Sequence, residues 1–288
     1  MNNILVTGGN GQLGSELKEI APNYPNHNFL FTDVKQLDIT NHTAVVAFID
    51  SNKINVIINC AAYTAVDKAE EQKDLANAIN HLAVANFAQI SKEKNIKLIH
   101  ISTDYVFDGT NHKPYAETDT PNPQSAYGQT KLDGELAMQN INPSNSIIIR
   151  TSWVYSNYGN NFVKTMIRLS REKEELGIIY DQIGTPTYAG DLAKIILEIL
   201  TKLKNEKVEI YHYSNQGVCS WYDFAKAIFE IANIKVKVNT IESAQYPTLA
   251  KRPFYSVMDK TKIQETYKIE VPYWKNSLIK CLNKINKC

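Results

Sequence analysis

Short unbroken apolar runs recur along this chain, separated by stretches with helical spacing. Asn3-Ile4-Leu5-Val6-Thr7, Asn28-Phe29-Leu30-Phe31-Thr32, Val56-Ile57-Ile58-Asn59-Cys60-Ala61, Lys97-Leu98-Ile99-His100-Ile101-Ser102 and Ser146-Ile147-Ile148-Ile149-Arg150 are too short for helices. Runs that are apolar at successive positions belong to strands covered on both faces. Between them, Leu13, Leu17 and Ile20 share one helical face, and Ala76–Ala88 is helical in pattern. Strand alternating with helix predicts an α/β fold built on a doubly wound parallel sheet. Toward the C-terminus, Ser220 stands as an N-cap before a stripe of Phe224, Ile228 and Ile231, the pattern of a core-facing helix. Turns at Pro247, Pro253 and Pro272 suggest a smaller, loop-rich domain, while Ile210-Tyr211-His212-Tyr213 reads as a strand returning to the main sheet. The two domains therefore interleave. The expected division is 1–150, with a return segment near 186–213, for the sheet domain, and 151–185 with 214–288 for the smaller one.

In open parallel sheets, ligands lie beyond the carboxyl ends of the strands. That rule singles out Gly8 to Leu13, Asp33, Ala61 to Thr64, Ser102 to Asp104 and Thr151 to Trp153. Gly8, Gly11 and Gly14 form a G-x-x-G-x-x-G loop between the first strand and a helix. Such a loop lets backbone approach a pyrophosphate closely and turns free helix N–H groups toward the anion. These flanks identify a Rossmann-type dinucleotide loop, with a plain turn as the ordinary alternative. Asp33 ends the second strand about 20 residues on, where a carboxylate accepts both adenosine ribose hydroxyls and repels a 2′-phosphate. Lys35 stands close enough to offset part of that repulsion, and a simple turn residue is the other reading of Asp33.

Tyr127 and Lys131 are spaced to project from one face of a helix. A free tyrosine hydroxyl titrates near about 10, too high for efficient proton transfer at neutral pH. An ammonium held beside it would favour the phenolate and bring that value down. Taken alone, the pair is more readily an accident on a solvated helix.

Composition narrows the function classes. With 288 residues, 43% of them hydrophobic, the chain can bury the core of one large domain or two joined ones. A net charge of +1 with no basic block gives no indication of nucleic acid binding. Cys60, Cys219, Cys281 and Cys288 lack metal-ligand spacing and form no disulfide scaffold, so no metal site is expected from them. No apolar stretch is long enough to cross a membrane, and the glycine loop begins where a signal peptide would lie. The expected setting is a reducing cytoplasm without a membrane partner.

The Thr7-Gly8 loop followed by the Tyr127–Lys131 helix resembles the extended short-chain dehydrogenase/reductase superfamily. Longer segments are similar to its dTDP-4-dehydrorhamnose reductase family: Asn59 to Glu70, Ser102 to Gly109, Tyr127 to Glu135, Arg150 to Tyr155 with Gly159 to Phe162, Asp181 to Thr187, and Arg252-Pro253. That resemblance covers nearly the whole chain. It implies NADPH or NADH as cofactor, a dTDP-sugar as substrate, and reduction of the C4 keto group of dTDP-4-dehydro-6-deoxy-L-mannose.

Carried over position by position, the resemblance makes Thr103, Tyr127 and Lys131 the catalytic trio. Tyr127 would protonate the alkoxide at sugar C4, Lys131 would hold the nicotinamide ribose and lower the tyrosine pKa, and Thr103 would hydrogen-bond the substrate carbonyl. Ser102 is the neighbour of Thr103, and adjacent strand side chains face opposite ways, so only one of the two can serve. Gly8, Gly11, Gln12, Leu13, Gly14, Asp33, Asp38, Ile39, Ala61, Ala62, Tyr63 and Thr64, together with Tyr127 and Lys131, fall on cofactor positions. Thr103, Asp104, Tyr105 and Trp153 fall on substrate positions, with Tyr105 and Trp153 also readable as core aromatics. Asn161 and Arg252 are candidate diphosphate partners, and a surface salt bridge is the alternative for Arg252. Some members of the family dimerise through magnesium held by glutamates. Glu16 fits one such position, but Asp191 stands where a glutamate is wanted, so a bridging ion and a homodimer stay open and no catalytic metal is expected. Two rival functions also stay open: another nucleotide-sugar reductase or epimerase, and a non-catalytic regulatory member.

Overall fold

The structure, a computed structural model, describes residues 2–286; Cys288 lies outside them. Five strands, β1 (Asn2–Thr7), β2 (His27–Thr32), β3 (Val56–Asn59), β4 (Lys97–Thr103) and β5 (Ile147–Thr151), are joined by a return strand, Glu209–His212, in one six-stranded sheet. The order is return strand, β5, β4, β3, β1, β2, and every pairing is parallel. The chain reverses direction across the sheet at β1, and this switch point opens a crevice at the carboxyl ends. Ile4, Leu5, Val6, Ile57, Ile58 and Ile99 have no exposed surface, as unbroken apolar strands require.

Helix α1 (Gln12–Ile20) and the helix Ala189–Leu200 cover one face of the sheet. α2 (His42–Ser51), the helix Ala83–Lys94 and Met138 of the helix Ala126–Ile141 cover the other. A separate core, with Tyr155, Phe224, Ile228, Trp274 and Leu278, lies in the C-terminal part. Its helix Trp221–Ile231 starts with a capping box between Ser220 and Asp223, as the sequence signalled, although Ile231 is only half-buried. Ile210, Tyr211 and His212 join the sheet, and Tyr213 continues by donating to the Arg150 carbonyl.

Two strand ends differ from expectation. β3 stops at Asn59, which leaves Cys60 and Ala61 free to turn into the crevice, and β4 runs one residue further, through Thr103. A π-turn at Ala78–Leu82 brings Asn80 to the Tyr63 backbone, where its amide accepts from Tyr63 N (2.9 Å) and donates to Tyr63 O (3.1 Å) and Thr130 Oγ1 (3.2 Å). The loop after β3 is thereby tied to the helix that carries Tyr127. No helix among the described residues is long and apolar enough to cross a membrane.

Candidate active site

The carboxyl ends of the strands line a cleft of about 720 Å³. Its floor is the glycine loop. Gly8 has φ +64°, and a Cβ there would sit 2.8 Å from Ala61 N. A glycine lets β1 and the loop after β3 approach this closely. Gly11 caps α1 without any side-chain bond, so the first helical amides have no side-chain acceptor at the edge of the cleft. That is the arrangement an incoming diphosphate would complete. Asp33 lies on the wall, its Oδ1 accepting from Val34 N (2.7 Å) while its backbone N donates to Gln36 Oε1 (3.1 Å). Among the described residues the second carboxylate oxygen accepts no hydrogen bond, which suits a ribose. Asp38, Ile39, Ala61, Ala62 and Thr64 complete this end, and hydrogen bonds from Thr40 hold the Asp38 carboxyl below the usual range.

At the other end Thr103, Asp104, Tyr105, Tyr127, Lys131 and Trp153 share the cleft. Ser125 caps the helix Ala126–Ile141 by accepting from Gly128 N (3.1 Å), which sets Tyr127 in the first turn and Lys131 one turn on. Gly128 is required here, since a Cβ would lie 2.3 Å from Tyr105 O. The Tyr105 ring meets Tyr127 edge-on at 5.4 Å. Of the two adjacent hydroxyls on β4, Ser102 donates to Glu135, which is fully buried and paired with Arg150. Both residues line the cleft, but it is the Thr103 hydroxyl that lies beside Tyr127. This hydroxyl donates to Asp104 Oδ1 (3.0 Å) and accepts from Tyr105 N (3.2 Å).

The electrostatics differ from the sequence expectation. Burial pushes the Tyr127 hydroxyl up to about 12, and the Thr103 hydroxyl beside it offsets only part of that. Lys131, which was expected to depress this value, is itself buried and brought down to about 8, with Glu135 and Cys60 favouring its charge. Its Nζ donates to Ile101 O (2.6 Å) and lies 3.2 Å from His100 Nε2, so neither contact is to the tyrosine. For both groups desolvation is the largest effect; Asp104 adds to it at Tyr127, while Glu135 and Cys60 offset only part of it at Lys131. Burial likewise raises Asp104 to about 6 and the Cys60 thiol to about 12.

Four expected site residues stand outside the cleft wall. Gly14 packs α1 onto the loop, since a Cβ there would be 2.3 Å from Gly8 O. Tyr63 turns away and donates to Gln72 Oε1 (2.8 Å). Asn161 caps the helix Phe162–Glu172, and its amide donates to Gln12 Oε1 (3.0 Å) and Ser156 O (2.7 Å). Arg252 forms a two-pronged ion pair with Asp67 (3.1 and 2.8 Å). Glu16 is fully buried and held by Ser156 Oγ (2.7 Å), Tyr188 OH (3.4 Å) and Lys284 Nζ (3.3 Å), so its carboxylate is engaged within the chain rather than presented to a bridging ion. Among the described residues no cluster of His, Cys, Asp or Glu has the makings of a metal site. Val34, Leu37, Cys60, Gly159 and Asn160 line the cleft without having been singled out as ligand-facing. Cys60 was readable once β3 was known to end at Asn59; Gly159 and Asn160 reach the glycine loop through tertiary folding that no local pattern carries.

A parallel sheet with a glycine loop and a Tyr–Lys helix converging on one cleft defines a class, the Rossmann-type oxidoreductases of the extended short-chain dehydrogenase/reductase kind. The family model described as "RmlD substrate binding domain" matches residues 1–287. A dTDP-4-dehydrorhamnose reductase from Aggregatibacter actinomycetemcomitans is 44% identical, over 96% of this chain and 97% of the relative. Among solved structures, the Clostridium acetobutylicum dTDP-4-dehydrorhamnose reductase superposes with a TM-score of 0.93 at 44% identity, covering 99% of each chain. The Bacillus anthracis enzyme, in complex with NADP, gives 0.93 at 40% identity, covering 99% of this chain and 100% of that one. The chain belongs to the dTDP-4-dehydrorhamnose reductase family, a family of oxidoreductases.

Proposed function

We propose that the chain reduces the C4 keto group of dTDP-4-dehydro-6-deoxy-L-mannose to give dTDP-L-rhamnose, with NADPH or NADH as reductant. The observation that carries this reading is the convergence of Thr103, Tyr127 and Lys131 with the glycine loop on one cleft. The NADP complex of the Bacillus anthracis neighbour supports the cofactor class. The uncapped start of α1 would hold the pyrophosphate and Asp33 the adenosine ribose. Reduced nicotinamide, when bound, supplies the hydride that C4 receives.

The chain's own residues manage the charge that follows. Negative charge grows on the sugar O4, and Tyr127 is the proton donor. With its hydroxyl pushed up to about 12 it is fully protonated at neutral pH, and it remains a stronger acid than the sugar alcohol it creates. Lys131 would hold the nicotinamide ribose, and its charge stabilises the phenolate left behind. Thr103 donates to Asp104 in the free protein, so its hydroxyl must turn to meet the developing oxyanion. Trp153 and Tyr105 wall the sugar side. Supplying purified dTDP-4-dehydro-6-deoxy-L-mannose and following oxidation of NADPH and of NADH tests the reading. Steady oxidation that depends on the sugar nucleotide supports it, and none with either cofactor rejects it.

A further inference from the structure

Behind the site, a buried polar chain crosses three strands. Thr7 at the end of β1 donates through Oγ1 to Asn59 Oδ1 on β3 (2.6 Å). Asn59 Nδ2 faces His100 Nδ1 on β4 (3.1 Å), and His100 Nε2 faces Lys131 Nζ (3.2 Å). None of these four residues has more than 1% of its surface exposed. Sheet register requires the first links, since Thr7 aligns with Asn59 and Asn59 with His100. Three buried polar side chains on the sheet and one from the helix that covers it are costly unless each is paired.

We propose that His100 is a positioning residue that acts on the reaction through Lys131. The proposal rests on the role assigned to Lys131 above. Apart from the Ile101 carbonyl, the imidazole is the one side-chain partner of this ammonium among the described residues, and no carboxylate touches it. Burial and the Lys131 charge keep His100 neutral, so one ring nitrogen carries a proton and the other accepts. With Nε2 accepting, Lys131 can keep its full charge, Nδ1 is the donor, and Asn59 must turn Oδ1 to it and Nδ2 to Thr7. With the amide as found, Nδ2 donates to Nδ1, Nε2 carries the proton, and Lys131 accepts it as a neutral amine. The Asn59 amide and the Lys131 charge are therefore linked, since amide orientation and histidine tautomer are fixed together by the network. The other ionisable groups that act on Lys131 are Cys60, from the segment after β3, and Glu135, from its own helix and already paired with Arg150; Tyr127, also on that helix, lines the same cleft.

Two substitutions separate this role from a merely structural one. In His100→Gln the amide end overlays Nε2, keeping an acceptor for Lys131 and losing the link to Asn59. In His100→Asn it overlays Nδ1, keeping the Asn59 link and losing the acceptor. The kcat, KM and pH dependence of kcat/KM are measured for both, with thermal melting as the fold control and Lys131→Met alongside. The expected result is that His100→Gln retains most of kcat. His100→Asn loses about 10-fold or more, and its alkaline limb moves to lower pH because the ammonium has lost an acceptor. Equal activity in the two variants, or an unmoved limb in His100→Asn, overturns the proposal while leaving the site reading intact if Lys131→Met is inactive. Wild-type turnover in Lys131→Met overturns both.

Discussion

Tyr127→Phe removes one hydroxyl and little else, so its effect on rate and on stability can be separated. The ring is nearly buried, at 9% exposure, and packs edge-on against Tyr105, contacts that phenylalanine keeps. The lost hydroxyl interacts with Thr103, whose own hydroxyl still has Asp104 and the Tyr105 amide as partners. No buried group is orphaned, so the stability change is about 1 kcal/mol or less. The rate effect is larger. A positioned general acid contributes about 10²- to 10⁴-fold, or roughly 3–5 kcal/mol of barrier. Burial of the Tyr127 side chain, the main cause of its raised pKa, limits the room for a water to take its place as proton donor. Turnover of the variant is measured by oxidation of NADPH, and cofactor affinity is measured separately by fluorescence titration. The expected outcome is kcat down at least 100-fold with cofactor affinity within about twofold and melting within a few degrees. A variant that keeps more than a tenth of wild-type turnover would remove Tyr127 from proton transfer.

Asp33→Ala is expected to raise the ratio of kcat/KM for NADPH over NADH by about tenfold or less, mainly by weakening NADH, since charge repulsion at this partly exposed rim is screened; an unmoved ratio at two salt concentrations makes Asp33 a turn residue. Activity should fall as pH rises through about 8, because Lys131 is held below the ordinary lysine value and gives up its charge there. A kcat/KM profile that stays flat to well above that pH would show that the ammonium is not needed. Glu135→Gln leaves the buried Arg150 guanidinium without its counter-charge and takes away one of two carboxylate oxygens that it and Ser102 share. It should cost about 3–5 kcal/mol and lower the melting temperature by on the order of 10 °C, and melting within two degrees of wild type would contradict that.

Much of the architecture was legible because unbroken apolar runs leave few alternatives. Ile4 to Val6, Val56 to Ile58 and Leu98 to Ile99 are buried on both faces, which only a covered parallel sheet provides. Gly8 and Gly11 were legible for the same kind of reason, since strand, glycine loop and helix in succession constrain the backbone locally. Asn161 and Arg252 were legible only as candidates, with a salt bridge as the alternative for Arg252. Their residue types suit a diphosphate equally well, and what decides their contacts is the arrival of Gln12 and Asp67 from remote parts of the chain. Spacing on a helix reports direction, not depth, so the burial that raises the Tyr127 pKa was not legible in the sequence. His100 looked like one more residue of an apolar strand; only sheet register reveals that it faces Lys131.

Hydride delivery to sugar C4 can be followed with an isotope label. NADPH deuterated at both C4 positions of the nicotinamide is incubated with the chain and dTDP-4-dehydro-6-deoxy-L-mannose, and the product is examined by proton NMR and mass spectrometry. The expected product is dTDP-L-rhamnose carrying one deuterium, at sugar C4. A product without deuterium at that carbon, or a 4-keto sugar returned unreduced or epimerised, would contradict the proposed reduction.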